Sequence, residues 1–560
     1  MHLCLPPRPC PSSGQTSFAN TRHLFIFFFE DQSNCSEHLD FALLLPFTSP
    51  NLALHHKVAT MVPTPFSETP EEEPLAPTVV VVTPYSTGCC IAKEIQNRGY
   101  RLICMWSAGF SEVMKTHVPK SADGLMWDLV LDEQDTLEDT ANLVLREAAS
   151  HGMDVVSCIC GGEAGVDLAD ALSEHLGLLS NGTAVANRRD KKVQQELIKE
   201  AGLRSIRQVA GTSFTPEVDD FMRKESYPVV VKPLDSAGSD GVKMCKSYEE
   251  AKHHFLYLLN EHDMVNGGEC HEVLCQEFLK GTEYVVDCVS RDSVHKTVMV
   301  WKYDKRPVNG AAFVYFGDIP VDSETEEAKV LIPYARRVLD ALGCAHGPSH
   351  GEIIITEDGP CLVEMNCRAH GGDGIWQPLC RALTGGYNQV DATVDAILDR
   401  ETFDRLPDKP VSPFLSNGQC VDLVSYKTGT VKATPGYSIM RLLPSFVCME
   451  SHIRPGSKVV PTVDLASDAG TLVVMNANKD VLARDIALIR QMETASVLFQ
   501  LEDEDEQKEA MVIQKVLEKQ KSAASTLGRP RSKSIETSTT RHRRLVSHDT
   551  PAMFMAAKHI

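Results

Sequence analysis

Between Gly351 and Gly374 the chain reads GEIIITEDGPCLVEMNCRAHGGDG, and this stretch restricts the fold more than any other. Two apolar triplets, Ile353-Ile354-Ile355 and Cys361-Leu362-Val363, flank Glu357-Asp358-Gly359-Pro360, the pattern of two β-strands joined by a tight turn. A three-residue loop, Glu357-Asp358-Gly359, is predicted as a type I turn followed by a bulge. Pairing symmetric about Asp358 then sets Glu352 opposite Glu364, and alternation puts Asn366 on the face of Glu364. Opposed residues have β-carbons about 5 Å apart, so both carboxylates can grip one ion. A two-residue Asp358-Gly359 loop is the alternative; it pairs Glu352 with Met365 and leaves a solvated acidic hairpin. Three oxygen-bearing groups with no His or Cys among them suit a hard cation, Mg²⁺ or Mn²⁺ in its place. Arg368 keeps the alternation if the strand continues, and Gly371, Gly372 and Gly374 let backbone approach a ligand closely.

A chain of 560 residues implies three or four domains, and 43% hydrophobic content supplies real cores. The formal charge of −21 argues against broad nucleic-acid binding. The 18 cysteines include no CxxC pair and many sit in apolar runs, as reduced core residues of a cytoplasmic protein would. No apolar run approaches the 18 or so residues needed to span a membrane. Residues 1–77 are expected to be disordered or linker. The burst at 24–29 lacks a basic start and a cleavage site, residues 63–77 are rich in Pro and Glu, and Met61 is an alternative start.

Order is expected from Thr78. Residues 78–186 alternate strand and helix: a continuous apolar strand at 78–83, a helix at 89–98, a strand at 101–105, then a strand at 154–160 and a helix reaching Leu176. This is a parallel α/β domain whose Gly-bearing loops follow the strand ends. No G-x-G-x-x-G lies in those turns, so the domain is expected to be a scaffold with part of a substrate pocket rather than a dinucleotide site.

Residues 187–400 form the next block. Lys191 precedes a helix, and a strand 227–232 ends on Lys232-Pro233. In the following Leu234-Asp-Ser-Ala-Gly-Ser-Asp-Gly241, the small residues Ser236, Gly238, Ser239 and Gly241 let backbone N–H groups converge on phosphate oxygens. Lys232 would add a point charge there; an ordinary loop with an exposed lysine is the bland alternative. Gln276-Glu277-Phe278-Leu279 closes another strand, able to offer backbone groups to a flat base. Glu283 is positioned to accept from ribose hydroxyls, a charged pair flanking a turn being the alternative.

This order of elements resembles the ATP-grasp superfamily, and within it the amino-acid ligases of the L-amino-acid ligase and carnosine synthase type, over residues 78–494. The resemblance implies ATP held between two α+β subdomains of a two-subdomain core. Lys191 and Lys232 would contact phosphates or the adenine edge, Gln276, Glu277, Phe278 and Leu279 would form the adenine hinge, and Glu283 would bind ribose. Glu352, Glu364 and Asn366 would hold Mg²⁺, with Arg368 at the transferring phosphate. Where relatives often carry proline after the asparagine, this chain has Cys367.

The implied chemistry joins a carboxylate to an amine. Moving the γ-phosphoryl of ATP onto the carboxylate makes an acyl phosphate, and the concentrated charge needs Mg²⁺, Lys232 and Arg368. His370, Gly371 and Gly372 would hold the substrate carboxylate or acyl phosphate, or form a structural turn. Lys302, Arg306 and Asn309 are the candidates for lining the second-substrate side, a solvated loop being the alternative.

Residues 401–500 contain short β-like runs with Gly punctuation and a helix at 480–492, a closing β-rich domain. From 501 to 560 an acidic helix gives way to a disordered Ser/Thr/Arg-rich tail. Arg529-Pro-Arg-Ser-Lys-Ser534 and Arg543-Arg-Leu-Val-Ser547 place basic residues before serines, which brings in a kinase as a partner for the tail, an inert polar tail being the alternative. Small carboxylate and amine substrates and a homodimer complete the expected partners. A non-catalytic ATP-binding regulator and an enzyme carboxylating with bicarbonate are the competing functions.

Overall fold

The computed structural model of the chain describes residues 74–185, 188–234, 241–260 and 270–502, with the single positions 516 and 518. Ser236, Gly238 and Ser239 of the expected phosphate loop, and the tail serines, lie outside the described residues.

Strands β1 (Ala76–Val82), β2 (Arg101–Trp106), β3 (Leu129–Asp132) and β4 (Met153–Cys160) form a parallel sheet in the order β3-β2-β1-β4. Val79, Val80, Val81 and Val82 are all fully buried, because helices cover both faces of the sheet. Gly88, opening the helix Thr87–Asn97, passes so close to the loop after β4 that a β-carbon there would lie 1.9 Å from the Gly161 carbonyl oxygen.

Strands β5 (Gln208–Gly211), β6 (Val229–Pro233), β7 (Lys243–Cys245) and β8 (Val273–Glu277) make an antiparallel sheet in the order β5-β8-β6-β7. Strands β9 (Thr282–Arg291), β10 (Val294–Val308), β11 (Ala311–Pro320), β12 (Gly347–Thr356) and β13 (Gly359–Asn366) make a second, in the order β11-β10-β9-β12-β13.

One face of this five-stranded sheet is apolar. Tyr284, Val286, Cys288, Val300, Ile353, Leu362 and Met365 pack on the helix Glu326–Ala341 through Leu331, Ala335, Val338 and Leu339. Residues of opposite parity turn the other way, and this polar face carries the site.

Strands β14 (Gly418–Asp422), β15 (Gly429–Ala433), β16 (Phe446–Glu450), β17 (Lys458–Val459), β18 (Thr471–Met475) and β19 (Gln500–Leu501) form two three-stranded sheets, β14-β18-β16 and β17-β15-β19. The helix Lys479–Thr494 packs with them. Gly317 joins these sheets to the site, since a β-carbon there would sit 2.2 Å from the Cys420 carbonyl oxygen, and its φ of +145° suits glycine. β11 and β14 therefore meet at backbone distance.

Candidate functional site

Glu352 does pair with Glu364, but by a different route from the expected one. Thr356 pairs with Gly359, so the loop is the two residues Glu357 and Asp358, not three. That register is one step off, and a bulge between Glu352 and Ile353, with Val363 as the extra residue, restores it. The shift and the bulge cancel, and the two carboxylates face each other.

The neighbouring strands add to the same face by parity. Glu352 pairs with Val285 and His350 with Asp287 across β12 and β9, while Trp301 pairs with Val285 across β10 and β9. Tyr303 stands opposite Asp318, and Lys305 opposite Tyr315. Glu283, Asp287, Tyr303, Lys305, Asp318, His350, Glu352 and Glu364 therefore share one surface.

Three lysines answer its carboxylates. Lys191 Nζ lies 2.9 Å from Glu364 Oε2, and Asn366 Nδ2 donates to Glu364 Oε1 at 3.3 Å. Lys305 Nζ is 2.7 Å from Glu283 Oε1, with the rings of Tyr303 and Tyr315 beneath it. Lys232, delivered by β6 from the other sheet, is buried. Burial first and the Lys191 charge second lower its pKa to about 8 against the pull of Glu364, Glu352 and Glu283. Burial opposes the Glu352 charge, but His350, Lys305 and Arg368 outweigh it and hold the carboxyl at about 2. Burial likewise opposes Glu364, and Lys191 and Lys232 keep it below the usual range despite Glu352.

Arg368 reaches the N-terminal sheet, where its Nε lies 3.1 Å from Glu163 Oε2 while Arg189 Nε is 3.1 Å from Glu163 Oε1. Glu163 sits in the loop after β4, so the scaffold domain supplies a residue to the site.

Several expected residues are used elsewhere. Lys302 has the wrong parity and is exposed. Arg306 pairs with Asp304 at 2.6 Å and stacks on the Phe316 ring, on the opposite face of β10 from Tyr303 and Lys305. Asn309 is a turn residue that the structure ties down: with Gly310 it turns the β10–β11 hairpin, and its Nδ2 donates to the Ser425 and Thr462 carbonyls at 3.0 and 2.8 Å. The three do not line the sheet face; Tyr303 and Lys305, between them in sequence, do. Glu277 has its N–H on the Arg207 carbonyl and its carboxylate on Arg204 and Arg207 at 2.8 Å. Gln276 bonds Gln208 at 2.6 Å, Leu279 is core beside Ile206 and Cys361, and Phe278 follows the end of β8. Gly241 is held by His254 through its carbonyl at 2.8 Å.

His370 turns its imidazole inward rather than toward a substrate. Its Nδ1 is 2.9 Å from Asp287 Oδ2, His350 Nδ1 is 3.0 Å from Asp287 Oδ1, and Trp301 Nε1 donates to Asp287 Oδ2 at 2.7 Å. Burial disfavours the Asp287 charge, yet the two imidazoles hold it far below the usual range. His350 is pushed up to about 9 against burial by Asp287 and Glu352. Among the described residues, Asp287, His350 and His370 are the His and carboxylate group whose ligand atoms lie within 4.8 Å of one another. With three donors already on Asp287, the group is a hydrogen-bond network rather than an ion cage.

The Gly371-Gly372 loop is braced by the N-terminal scaffold. Thr87 Oγ1 donates to the His370 and Gly371 carbonyls at 2.6 and 3.1 Å, and Trp376 Nε1 to Gly371 at 2.8 Å. His117 Nε2 lies 2.9 Å from Asp373 Oδ2 in the same loop, and this bond raises the imidazole's proton affinity against burial. A raised folded pKa means the pair stabilises fully below the unfolded His value, about 6.5, and is lost as pH rises through the folded value. His117→Asn should therefore lower stability by about 1 kcal/mol near pH 6 and by almost nothing near pH 9, read as melting temperature against pH. A difference independent of pH would show that the contact is not ionic.

Alternation links Glu283 to Asp287, Trp301 to Lys305 and His350 to Glu352, the rule that linked Glu364 to Asn366. Extending it to the neighbouring strands would have found Asp287, Tyr303, Lys305 and His350 from sequence. Glu163 carried no such signal.

An oxygen-lined carboxylate pair with lysines around it, set between two antiparallel sheets, suits a cation and the phosphates that such a cation accompanies. Residues 204–372 match the ATP-grasp domain family. Dapdiamide A synthase of Enterobacter agglomerans is 28% identical over 422 residues, covering 74% of this chain and 95% of the relative. Phosphoribosylamine–glycine ligase of Listeria monocytogenes is 26% identical over 313 residues, covering 52% and 66%. The structure of L-amino acid ligase from Bacillus licheniformis superposes with a TM-score of 0.57 at 15% identity, covering 74% of this chain and 98% of that one, a likeness of fold. Residues 204–372 thus carry an ATP-grasp domain, and the chain is similar over about three quarters of its length to carboxylate–amine ligases; ATP and a divalent cation, ordinarily Mg²⁺, are the usual partners of that domain. No helix among the described residues is long and apolar enough to cross a membrane.

Proposed function

We propose that the chain joins an amino acid or small acid to an amine-bearing amino acid, with ATP as the source of activation. The observation that supports this best is the opposition of Glu352 and Glu364 on a face that also holds Lys191, Lys232 and Lys305. Glu352, Glu364 and Asn366 fit Mg²⁺ by their chemistry: all three offer oxygen, and two like charges so close favour a cation between them. That ion, when bound, neutralises charge on the nucleotide's phosphates. Lys191 and Lys232 attract the phosphates, and the braced Gly371-Gly372 backbone orients the acid. The acid's carboxylate oxygen attacks the γ-phosphorus, ADP leaves, and an acyl phosphate forms. The amine then attacks the acyl carbon and phosphate leaves. Arg368, fixed by Glu163, faces the charge that grows on the transferring group.

The same proposal takes residues 78–186, 187–400 and 401–500 as domains, the cytoplasm as the compartment, and a homodimer as the assembly. The tail-directed kinase belongs to it too, to be settled by phosphate mapping of the serines after 522.

The test mixes protein, Mg²⁺, ATP and pooled amino acids and measures ADP plus phosphate. Amino-acid-dependent release is expected, and Arg368→Ala should lower it about 1,000-fold with ATP binding kept. Intact ATP binding without turnover in the unaltered protein would favour a non-catalytic regulator.

A further inference from the structure

At the β11 end of the polar face stands a carboxylate that the chemistry above does not use. Asp318 is paired in register with Tyr303 and so shares the face of Glu352. Its Oδ1 is buried with no hydrogen-bond partner. Its single ion-pair contact among the described residues is a distant one, His370 Nε2 at 3.9 Å from Oδ2. A second carboxylate, Asp422 on β14, lies beside it, brought there by the close passage of Gly317 over Cys420. Burial first, and the like charge of Asp422 second, push the Asp318 carboxyl well above the usual carboxylate range.

A buried carboxylate oxygen without a donor costs free energy that a ligand donor would recover. The surroundings define that ligand. Two carboxylates call for positive charge, and a group with several donors and no acceptor matches them, which a primary ammonium provides. His370, already held by Asp287, can turn its other nitrogen to Asp318 Oδ2, and Asp422 accepts from Thr471 Oγ1 at 2.8 Å, so Asp318 Oδ1 is the atom that a ligand donor would meet. The place is within the same network as the cation pair, since Asp287 joins His370 to His350, and His350 Nε2 lies 3.5 Å from Glu352 Oε1.

We propose that Asp318, with Asp422 from the C-terminal sheets, is a subsite for the ammonium group of a substrate, so that at least one of the two molecules joined carries a primary amine held apart from the reacting carboxylate. The subsite rests on the ligase reading for its link to turnover, though its binding can be measured without it. It also gives the C-terminal sheets a part in substrate choice, through Asp422.

The experiment compares the full chain with Asp318→Asn, which keeps the shape and removes the charge. Condensation products are followed by mass spectrometry with ATP and Mg²⁺, offering the twenty common amino acids as acid and amine. A parallel series offers propionate and succinate as acids that lack an amino group. The variant should raise KM for the ammonium-bearing substrate by about 30-fold or more, with KM for ATP within about twofold, the latter also showing that it folds. A loss confined to amino-bearing acids assigns the ammonium to the acyl donor. A loss that persists with propionate and succinate assigns it to the amine. Unchanged KM for every amino substrate overturns the subsite and leaves the ligase standing. If the unaltered chain turns nothing over, titration calorimetry of the amino-acid pool onto the chain with MgADP decides. Heat that disappears in Asp318→Asn supports the subsite, and heat equal in the two proteins, or none in either, overturns it.

Discussion

Glu352→Gln and Glu364→Gln are each expected to reduce ATP-dependent turnover by about 1,000-fold, close to 4 kcal/mol of transition-state stabilisation. Glutamine keeps the shape and one oxygen but removes the charge that lets two strands hold one cation, so metal-dependent binding of ATP should weaken with turnover. The two variants should differ in stability. Glu364 is the 2.9 Å partner of Lys191, a cation only 14% exposed, and the glutamine variant removes that ion pair. Breaking such a pair costs about 3 kcal/mol, reduced by relief of the repulsion from Glu352. Glu352 leans on His350 at a looser 3.5 Å, so Glu352→Gln should melt nearer the unaltered protein. Turnover within tenfold of the unaltered enzyme in both variants would end the shared-cation account of this site.

Asp287→Ala should be the most destabilising single change on the polar face. The carboxylate is 2% exposed and receives His350, His370 and Trp301. Removing it strands three buried donors and a buried positive charge on His350, at a cost of about 3–5 kcal/mol. In a domain of this size that corresponds to a fall in melting temperature of about 10 °C. Asp287→Asn, which can still accept one of the donors, should lose less. The measurement needs no substrate, so it separates the network's structural role from turnover. A fall of less than about 2 °C would show that the network contributes little to the fold.

Much of this molecule was legible in the order of its residues. The four consecutive valines at 79–82 could form only a strand covered on both sides, and they do. The strand ending on Lys232 and the existence of the β12–β13 hairpin followed from local pattern, and the ligase class from the resemblance that the ordered motifs carry. Lys302 and Arg306 lie on the other face, which charge read without parity missed: β10 runs through that segment and the inward positions are Trp301, Tyr303 and Lys305, while Asn309 lies beyond the strand in its turn. His370 was read from its Gly-rich neighbours, while its ring is claimed by an aspartate 83 residues earlier.

Sequence by itself determined many of the strands and helices and which residue types could share a cation, since periodicity and turn chemistry act over a few residues. Tertiary structure alone decided the rest. A one-step register shift and a one-residue bulge had to cancel for Glu352 to meet Glu364. Glu163 reached Arg368 across 205 positions, and a bare glycine let Asp422 settle beside Asp318. Each depends on packing between distant segments, where distance along the chain carries no information about distance in space.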